Sequence, residues 1–353
     1  MENENNNEER GSFAGRRMKF NKKPGESRRK HEWVKPWSAR ERWLVFGVFA
    51  GTIILSGLFA VSSREWKLPG VSRLEFSNYK LQISNLFKNQ PIIIDGGEEV
   101  NGEMKIKSET IVTNFKETTK NLSGIYGLSV VDLKTSYTFG VYENEVFEAA
   151  SLIKLPVMAM VYQLAEAGKL DLDKKYILKA EDKRGGSGSL YGKPVGYEIT
   201  YRNLLKLMGQ QSDNTAFNIY RNMLGDSAIN IFARKLGMEK TKVETNETTP
   251  HDIAVFFQEL WMGNLVNKYN KDELLTNLTD TLYENWLVPG VPNNIQVAHK
   301  YGREVHVVND AGIVFAKKPY VVVILTKGIV EAQADESLPK LSKVVYDGMV
   351  SEK

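Results

Sequence analysis

The sequence predicts an α+β domain preceded by one transmembrane helix, and three observations lead to that prediction. Short alternating apolar stretches indicate strands both early in the domain and near its end. The residues between them have helical periodicity, which favours one antiparallel sheet assembled from both ends of the domain with a helical lobe inserted. An uncharged apolar run, residues 43–61, lies ahead of the domain.

The apolar run from Trp43 to Val61 contains 19 residues without a charge. A helix of that length spans roughly 28 Å, close to the hydrocarbon core of a bilayer. A cleaved signal peptide is the alternative, with Ala60-Val61-Ser62 as the cleavage site, but the run and its leader are longer than usual. Seven Lys/Arg within twenty residues before the run, against four after it, predict a cytoplasmic N-terminus and residues 62–353 outside the cell membrane.

The remaining segments follow in chain order. Residues 1–42 are expected to be a disordered basic tail, 62–107 a linker, and 108–353 the folded domain. The predicted helices are 109–120, 151–167, two or three within 200–238, more within 251–287, and about 333–350. The predicted strands are Gly127–Leu133, Tyr137–Tyr142, Gln296–Tyr301, Glu304–Val308, Ala311–Ala316 and Tyr320–Thr326.

The composition excludes several kinds of site. The 353 residues include no cysteine, which removes disulfides, thiolate nucleophiles, Cys-ligated zinc and iron–sulfur clusters. The four histidines form no HExxH pair, so we expect neither a metal nor a cofactor. The net charge is +4, and residues 1–42 carry twelve Lys/Arg against seven Asp/Glu. The rest of the chain is near neutral, which argues against nucleic-acid binding.

Ser151 and Lys154 are the first candidate catalytic pair. At positions i and i+3 of a helix they share a face, and a lysine of lowered pKa can take the proton of a serine hydroxyl. Four Ser-x-x-Lys strings occur in the chain, beginning at Ser27, Ser77, Ser151 and Ser337. Only the string at Ser151 opens a strongly apolar helix soon after a predicted hairpin.

Two further strings follow Ser151 in the predicted domain. Ser212-Asp213-Asn214 lies 61 residues downstream, and Lys300-Tyr301-Gly302 lies 88 residues beyond that. Taken alone, the first is typical of a helix cap and the second of an exposed strand lysine. The ordered set Ser-x-x-Lys, Ser-Asp-Asn and Lys-x-Gly resembles that of class A β-lactamases and penicillin-binding proteins, over residues of about 108–350.

The resemblance implies a role for each matching catalytic residue. Ser151 would be the acylated nucleophile, and Lys154 the base that activates it. Ser212 would relay a proton to the leaving nitrogen. The backbone N–H groups of Ser151 and Arg303 would form the oxyanion hole.

The resemblance also implies a substrate-binding set of Asn214, Lys300, Tyr301 and Gly302. Asn214 would bind the side-chain amide of the substrate, and Lys300 would attract its carboxylate. Tyr301 departs from the family pattern, because class A enzymes usually carry Ser or Thr there. A tyrosine cannot place its hydroxyl in the same geometry, so the strength and selectivity of carboxylate binding are expected to differ.

A second departure concerns release of the acyl group. In class A enzymes a long loop carries the glutamate that activates the hydrolytic water. Here only nine residues, Glu239 to Glu247, separate Met238 from Thr248. Glu244 and Glu247 are the nearby carboxylates, and their simpler interpretation is solvated surface charge. We therefore expect rapid acylation and slow deacylation.

The resemblance leaves three functions open. The first is a membrane-anchored β-lactamase-like hydrolase that acts through a serine acyl-enzyme on β-lactam amide bonds. The second is a D-Ala-D-Ala peptidase-like penicillin-binding protein, and the third is a non-enzymatic β-lactam sensor. The expected partners are a small-molecule β-lactam or a peptidoglycan peptide, with no nucleic acid, and the chain is expected to be a monomer.

Overall fold

The computed structural model describes residues 102–350, together with Arg40. The α-helices of the domain are α1 Gly102–Thr119, α2 Lys154–Glu166, α3 Tyr201–Gln210, α4 Asn214–Leu224, α5 Asp226–Lys235, α6 Pro250–Met262, α7 Lys268–Asn277 and α8 Glu331–Val350. The strands are β1 Ile125–Asp132, β2 Thr138–Val141, β3 Phe147–Glu148, β4 Lys175–Ile177, β5 Glu198–Thr200, β6 Glu247–Thr248, β7 Val297–Glu304, β8 Val307–Val314 and β9 Tyr320–Lys327. This is the predicted α+β architecture.

A five-stranded antiparallel sheet has the order β2-β1-β9-β8-β7. The first two strands of the domain therefore pair with the last three, as the sequence predicts. Strand β9 lies at the centre, and its run Tyr320–Leu325 is buried on both faces, which explains why it is continuously apolar. Two-residue and three-residue strands form separate pairs, β3 with β6 and β4 with β5.

The sheet separates two apolar clusters. One face packs against the helical lobe around α2, whose residues from Lys154 to Tyr162 are all buried. The other face packs against α1 and α8. Side chains of a strand alternate between faces, so Ala298 of β7 lies in the cluster with the helical lobe while Val297 and Tyr301 lie in the other.

Several predicted boundaries were wrong. Residues Glu304–Val308 do not form a strand, because Val305 and His306 make the turn between β7 and β8, and His306 has a φ of 59°. The alternation of apolar residues concealed that turn. The helical pattern in 251–287 ends at Asn277, and helix α1 begins at Gly102, inside the predicted linker. A 3-10 turn, Ala150–Ile153, precedes α2.

Two expectations concern residues beyond the described part. The predicted anchor, residues 43–61, and the predicted tail, residues 1–42, lie outside it apart from Arg40. Within residues 102–350, no helix is both long enough and apolar enough to cross a membrane.

The turn that carries Ser151 is held against the sheet at several points. The side-chain amide of Asn309 on β8 donates to the carbonyl oxygen of Glu148 at 2.8 Å. The backbone N–H of Ala149 donates to the carbonyl oxygen of Asn246 at 2.7 Å. A Cβ atom built on Gly302 of β7 would lie 2.8 Å from the backbone nitrogen of Ser151. Glycine therefore allows the edge strand to approach this turn closely.

Gly302→Ala tests that close approach. The added methyl group would collide with the Ser151 backbone nitrogen and the Ala150 Cβ atom, so we expect the free energy of unfolding to fall by about 2 kcal/mol. Gly192→Ala is the matched control, because a Cβ there meets no atom within 4 Å. Urea unfolding of both variants measures the difference, and an equal effect of the two substitutions would contradict the packing described.

Candidate active site

Lys154 lies at the centre of the site and is 2% exposed. Its Nζ atom lies 3.0 Å from the Ser151 hydroxyl oxygen and 3.1 Å from the Ser212 hydroxyl oxygen. It also lies 2.6 Å from the Ser212 carbonyl oxygen and 2.7 Å from Oδ1 of Asn214. The structure therefore brings together four residues that lie up to 63 positions apart in the sequence.

This geometry suits a neutral amine. An ammonium group has three protons, whereas four oxygens surround Nζ. The two shortest contacts are to the Ser212 carbonyl and the Asn214 amide oxygen, which can only accept. A neutral Lys154 donates its two protons to them, and its lone pair then faces hydroxyl groups that can donate. Such an amine can remove the Ser151 proton.

Burial lowers the pKa of Lys154 to about 7, with the Asp213 and Glu304 carboxylates partly offsetting the effect. Near neutral pH a large fraction of Lys154 is therefore unprotonated. A lysine with an ordinary pKa would be almost entirely charged at neutral pH and could not act as a base. The cause is removal of the ammonium from water, which disfavours the charged form.

Ser212 sits in a strained backbone conformation that directs it toward Lys154. Its φ is 54°, a value that non-glycine residues rarely adopt. The next residue, Asp213, caps helix α4 by accepting from the Ala216 N–H at 2.9 Å, and its other oxygen accepts from the Leu190 N–H at 2.8 Å. Asp213 therefore has the helix-capping role that the sequence predicts, while its neighbours Ser212 and Asn214 contact Lys154.

Asn214 begins helix α4 and links the site to a neighbouring loop. While its Oδ1 atom contacts Lys154, its Nδ2 atom donates to the Gly185 carbonyl oxygen at 2.9 Å. The bond fixes which end of the amide faces Lys154. The backbone N–H of Asn214 donates to Ser187 at 3.1 Å, so the loop at 185–187 is tied to the same residue.

Lys300 on β7 is fully buried, and its Nζ atom donates to the Tyr301 carbonyl oxygen at 3.0 Å. Burial, and then repulsion by Lys154, hold its pKa well below the usual range. Within residues 102–350 no direct hydrogen bond joins Lys300 to Ser212, and the predicted role of Lys300 in binding a carboxylate stays a prediction. A carboxylate bound beside Lys300 would relieve the repulsion and favour its charged form.

The open edge of β7 presents the backbone N–H group that is predicted to be the second oxyanion donor. The N–H of His299 points off this edge, because it donates to the Leu278 carbonyl oxygen at 2.7 Å outside the sheet. Edge groups recur every second residue of an antiparallel strand, so the N–H of Arg303 points the same way. Since Gly302 lies against the Ser151 nitrogen, the Arg303 and Ser151 N–H groups can converge on one oxygen. The side chain of Arg303 pairs instead with Asp335 at 2.9 Å.

Tyr301 points to the opposite face from Gly302. It is 4% exposed and its ring packs against Tyr283, with centroids 4.8 Å apart, and Trp286. Among the described residues its buried hydroxyl has no hydrogen-bond partner. The Lys300 Nζ atom lies 4.2 Å from the ring centroid, so the π face of Tyr301 would stabilise the charged form of this lysine. Its contact with substrate stays a prediction.

His299 forms a buried charged cluster on the same side as Tyr301. Its ring nitrogens lie 2.7 Å from Asp310 and 3.2 Å from Glu284. Although burial alone lowers the pKa of His299, the two carboxylates outweigh it and raise the pKa to about 9. Asp310 also accepts from the Leu287 N–H at 3.1 Å. The cluster fastens the segment before β7 to the strand that carries Lys300.

The predicted deacylation candidates lie in a short hairpin between α5 and α6. Glu244 is exposed and accepts from Asn230 at 2.6 Å, a bond that lowers its pKa. Glu247 accepts from Thr245 at 2.8 Å and lies 3.8 Å from Lys242. Within the described residues neither carboxylate bonds to Ser151 or Lys154. The hairpin touches the site through the backbone of Asn246 instead.

Sequence reasoning missed Asn309 and Asn246 as supports of the nucleophile turn. Asn309 is a buried polar residue within an apolar strand, and such residues are nearly always hydrogen-bonded. That signal was available in the sequence. Asn246 acts through its carbonyl oxygen, which every residue possesses, so no residue type could have revealed it.

The comparisons with known proteins agree with this geometry. A family described as the beta-lactamase enzyme family matches residues 110–349. Beta-lactamase SME-1 of Serratia marcescens is 24% identical over 266 residues, 69% of this chain and 90% of that protein. An ancestral class A β-lactamase structure is 25% identical with a TM-score of 0.63, covering 67% of this chain and 99% of that one.

A variant of PBP-A, described as an acyl-enzyme complex with penicillin G, shares the fold. It is 23% identical, with a TM-score of 0.64, and the match covers 69% of this chain and 96% of that one. The family match spans more than half of the 353 residues and includes Ser151, Lys154, Ser212, Asn214 and Lys300. The chain therefore belongs to the beta-lactamase enzyme family and is a class A β-lactamase-like serine hydrolase.

Proposed function

We propose that this chain forms an acyl-enzyme on Ser151 with the amide carbonyl of β-lactams and releases the acyl group slowly. The observation that carries the proposal is the position of Lys154, a buried amine within 3.1 Å of two serine hydroxyls. One hydroxyl can supply a proton to the amine, and the other can receive it. The geometry therefore supports both halves of an acylation step.

Acylation begins when the neutral Lys154 amine takes the Ser151 hydroxyl proton. The Ser151 oxygen bonds to the carbonyl carbon, and the developing negative charge lies on the carbonyl oxygen between the Ser151 and Arg303 N–H groups. One such donor is commonly worth about 3–4 kcal/mol in the transition state. Collapse of the tetrahedral species breaks the carbon–nitrogen bond. Ser212 gives its proton to that nitrogen and regains one from Lys154.

Slow release is supported by the short hairpin of residues 239–247. Hydrolysis of an ester needs a positioned water and a base that removes its proton. Glu244 and Glu247 bond to other groups, as described above, and neither reaches Ser151 among the described residues. The acyl-enzyme is therefore expected to accumulate.

A D-Ala-D-Ala peptidase-like activity is the second candidate. The same hairpin favours it, because an enzyme that does not present water efficiently can pass its acyl group to another nucleophile. Lys300 would bind the terminal carboxylate of such a peptide, as it would that of a β-lactam. A sensor role has no observation in its favour within residues 102–350.

The acyl-enzyme is tested by intact mass spectrometry of the full chain mixed with penicillin G, followed over time. We expect an adduct with the mass of the intact drug that lasts for many minutes, because ring opening expels no fragment. Ser151→Ala should abolish it. Ser337→Ala is the matched control, since Ser337 begins another Ser-x-x-Lys string but lies on α8.

Three outcomes distinguish the possibilities. An adduct that survives Ser151→Ala, or no adduct on the parent chain, contradicts the proposed nucleophile. Fast loss of the drug without a lasting adduct contradicts slow release and indicates an efficient β-lactamase. Cleavage of a D-Ala-D-Ala peptide together with a lasting drug adduct favours the second candidate.

The proposal also places the domain outside the cell membrane on a helix at residues 43–61. Its support is the 19-residue uncharged run and the excess of Lys/Arg before it. We expect the full chain to sediment with membranes and to resist extraction by salt and alkali. Deleting residues 43–61 should release it, and a chain that is equally soluble with and without the run would contradict an anchor.

A further inference from the structure

Glu304 lies on the face of β7 that is turned toward the nucleophile. Side chains of a strand alternate, so Lys300, Gly302 and Glu304 project to one side. The Cβ direction of Gly302 points at the Ser151 nitrogen, which identifies that side as the one facing Ser151. Glu304 follows about 7 Å further along the strand.

Successive residues of β7 would lie beside successive parts of a bound substrate. In the proposed acylation Lys300 binds the substrate carboxylate, so it marks the leaving-group side, where Ser212 would give its proton to nitrogen. The N–H of Arg303 marks the position of the carbonyl oxygen. Glu304 comes next, beyond the oxyanion donor and away from Lys300. Its carboxylate therefore lies on the acyl side, where the side chain of the substrate is held.

The Glu304 carboxylate is exposed, and within residues 102–350 no ion pair or side-chain hydrogen bond engages it. It is nevertheless close enough to Lys154 for its charge to raise the pKa of that lysine, against the larger lowering by burial. The cation beside it in sequence is turned away, because Arg303 pairs with Asp335 on the other face. The nearby His306 lies in the turn and bonds to Ile329.

A second exposed carboxylate precedes the turn that carries Ser151. Glu148 lies just before the nucleophile turn, is exposed, and accepts from Asn246 at 3.3 Å. Lys154, the cation at the centre of the site, is buried and engaged by four oxygens. An incoming ammonium group on the acyl side would thus meet an unpaired carboxylate.

We propose that Glu304 is a specificity-determining residue that selects substrates carrying a positively charged amine on the acyl side of the scissile amide. This inference rests on the proposed acylation of Ser151 and adds the substrate class. Its ligands are β-lactams with an ammonium group beside the side-chain amide, and peptides with a free amine at the equivalent position. A carboxylate at that position is disfavoured by repulsion.

Three penicillins with the same nucleus and phenyl group provide a matched test. Ampicillin carries an ammonium group on the α-carbon, penicillin G carries none, and carbenicillin carries a carboxylate. The second-order rate constant of Ser151 acylation is measured by intact mass for the full chain, slightly below neutral pH so that the amine is charged. We expect the order ampicillin, penicillin G, carbenicillin.

The decisive quantity is the rate constant for ampicillin divided by that for carbenicillin. Comparing this ratio between the parent chain and a variant removes the difference in intrinsic reactivity between the two drugs. Glu304→Gln should lower this ratio about fivefold, and Glu304→Lys should lower it further. Glu304→Asp should retain part of the preference. Glu336→Gln is the control, because it makes the same charge change on α8, against the other face of the sheet.

The outcomes separate this inference from the proposed function. Adducts on Ser151 whose ratio is unchanged by Glu304→Gln overturn the role of Glu304 and leave acylation intact. An equal change for all three drugs also overturns it, because it indicates an effect on the reaction rather than on side-chain charge. No adduct with any penicillin overturns the proposed function and with it this inference.

Discussion

The burial of Lys154 among four oxygen atoms is the interaction on which the rest of the site depends. Removal from water lowers its pKa to about 7, and its two shortest contacts use the protons of a neutral amine. Its lone pair then lies between the two serine hydroxyls. The same nitrogen can thus take a proton from Ser151 and return one to Ser212, so a single residue serves both the attack and the departure of the leaving group.

The surrounding structure maintains conformations that the residues would not adopt alone. Ala150 and Ser212 both have positive φ values, 47° and 54°, on either side of Lys154. Each such non-glycine residue costs on the order of 1 kcal/mol and persists only where neighbours hold it. Here the neighbours are the edge strand at Gly302, the amide of Asn309 and the cap of helix α4. The strained backbone at the site therefore lowers the stability of the fold, and packing in the sheet and the helical lobe offsets that cost.

Much of the fold and the central residues were predictable because each motif lies on a helix or strand or directly before one. The apolar pattern defined the strands at both ends, and the order of the three motifs located Ser151, Lys154, Ser212, Asn214 and Lys300. The turn at Val305 and His306 was not predictable, since its residues continue the alternation of a strand. Backbone contacts, such as that of Asn246, leave no trace in residue type. The sequence could have shown that the Tyr301 side chain points away from Ser151, because Tyr301 alternates with Lys300 and Gly302 along one strand.

The most direct test of this account is the titration of Lys154 itself. NMR of the protein with 13C-labelled lysine would follow each Cε signal with pH, and Lys154→Arg and Lys300→Arg would assign the two buried residues. We expect one lysine signal that titrates near pH 7 and disappears in Lys154→Arg. Acylation should rise as pH increases through that value, because the neutral amine is the base. A Lys154 signal that titrates near the ordinary lysine value would contradict its role as the base.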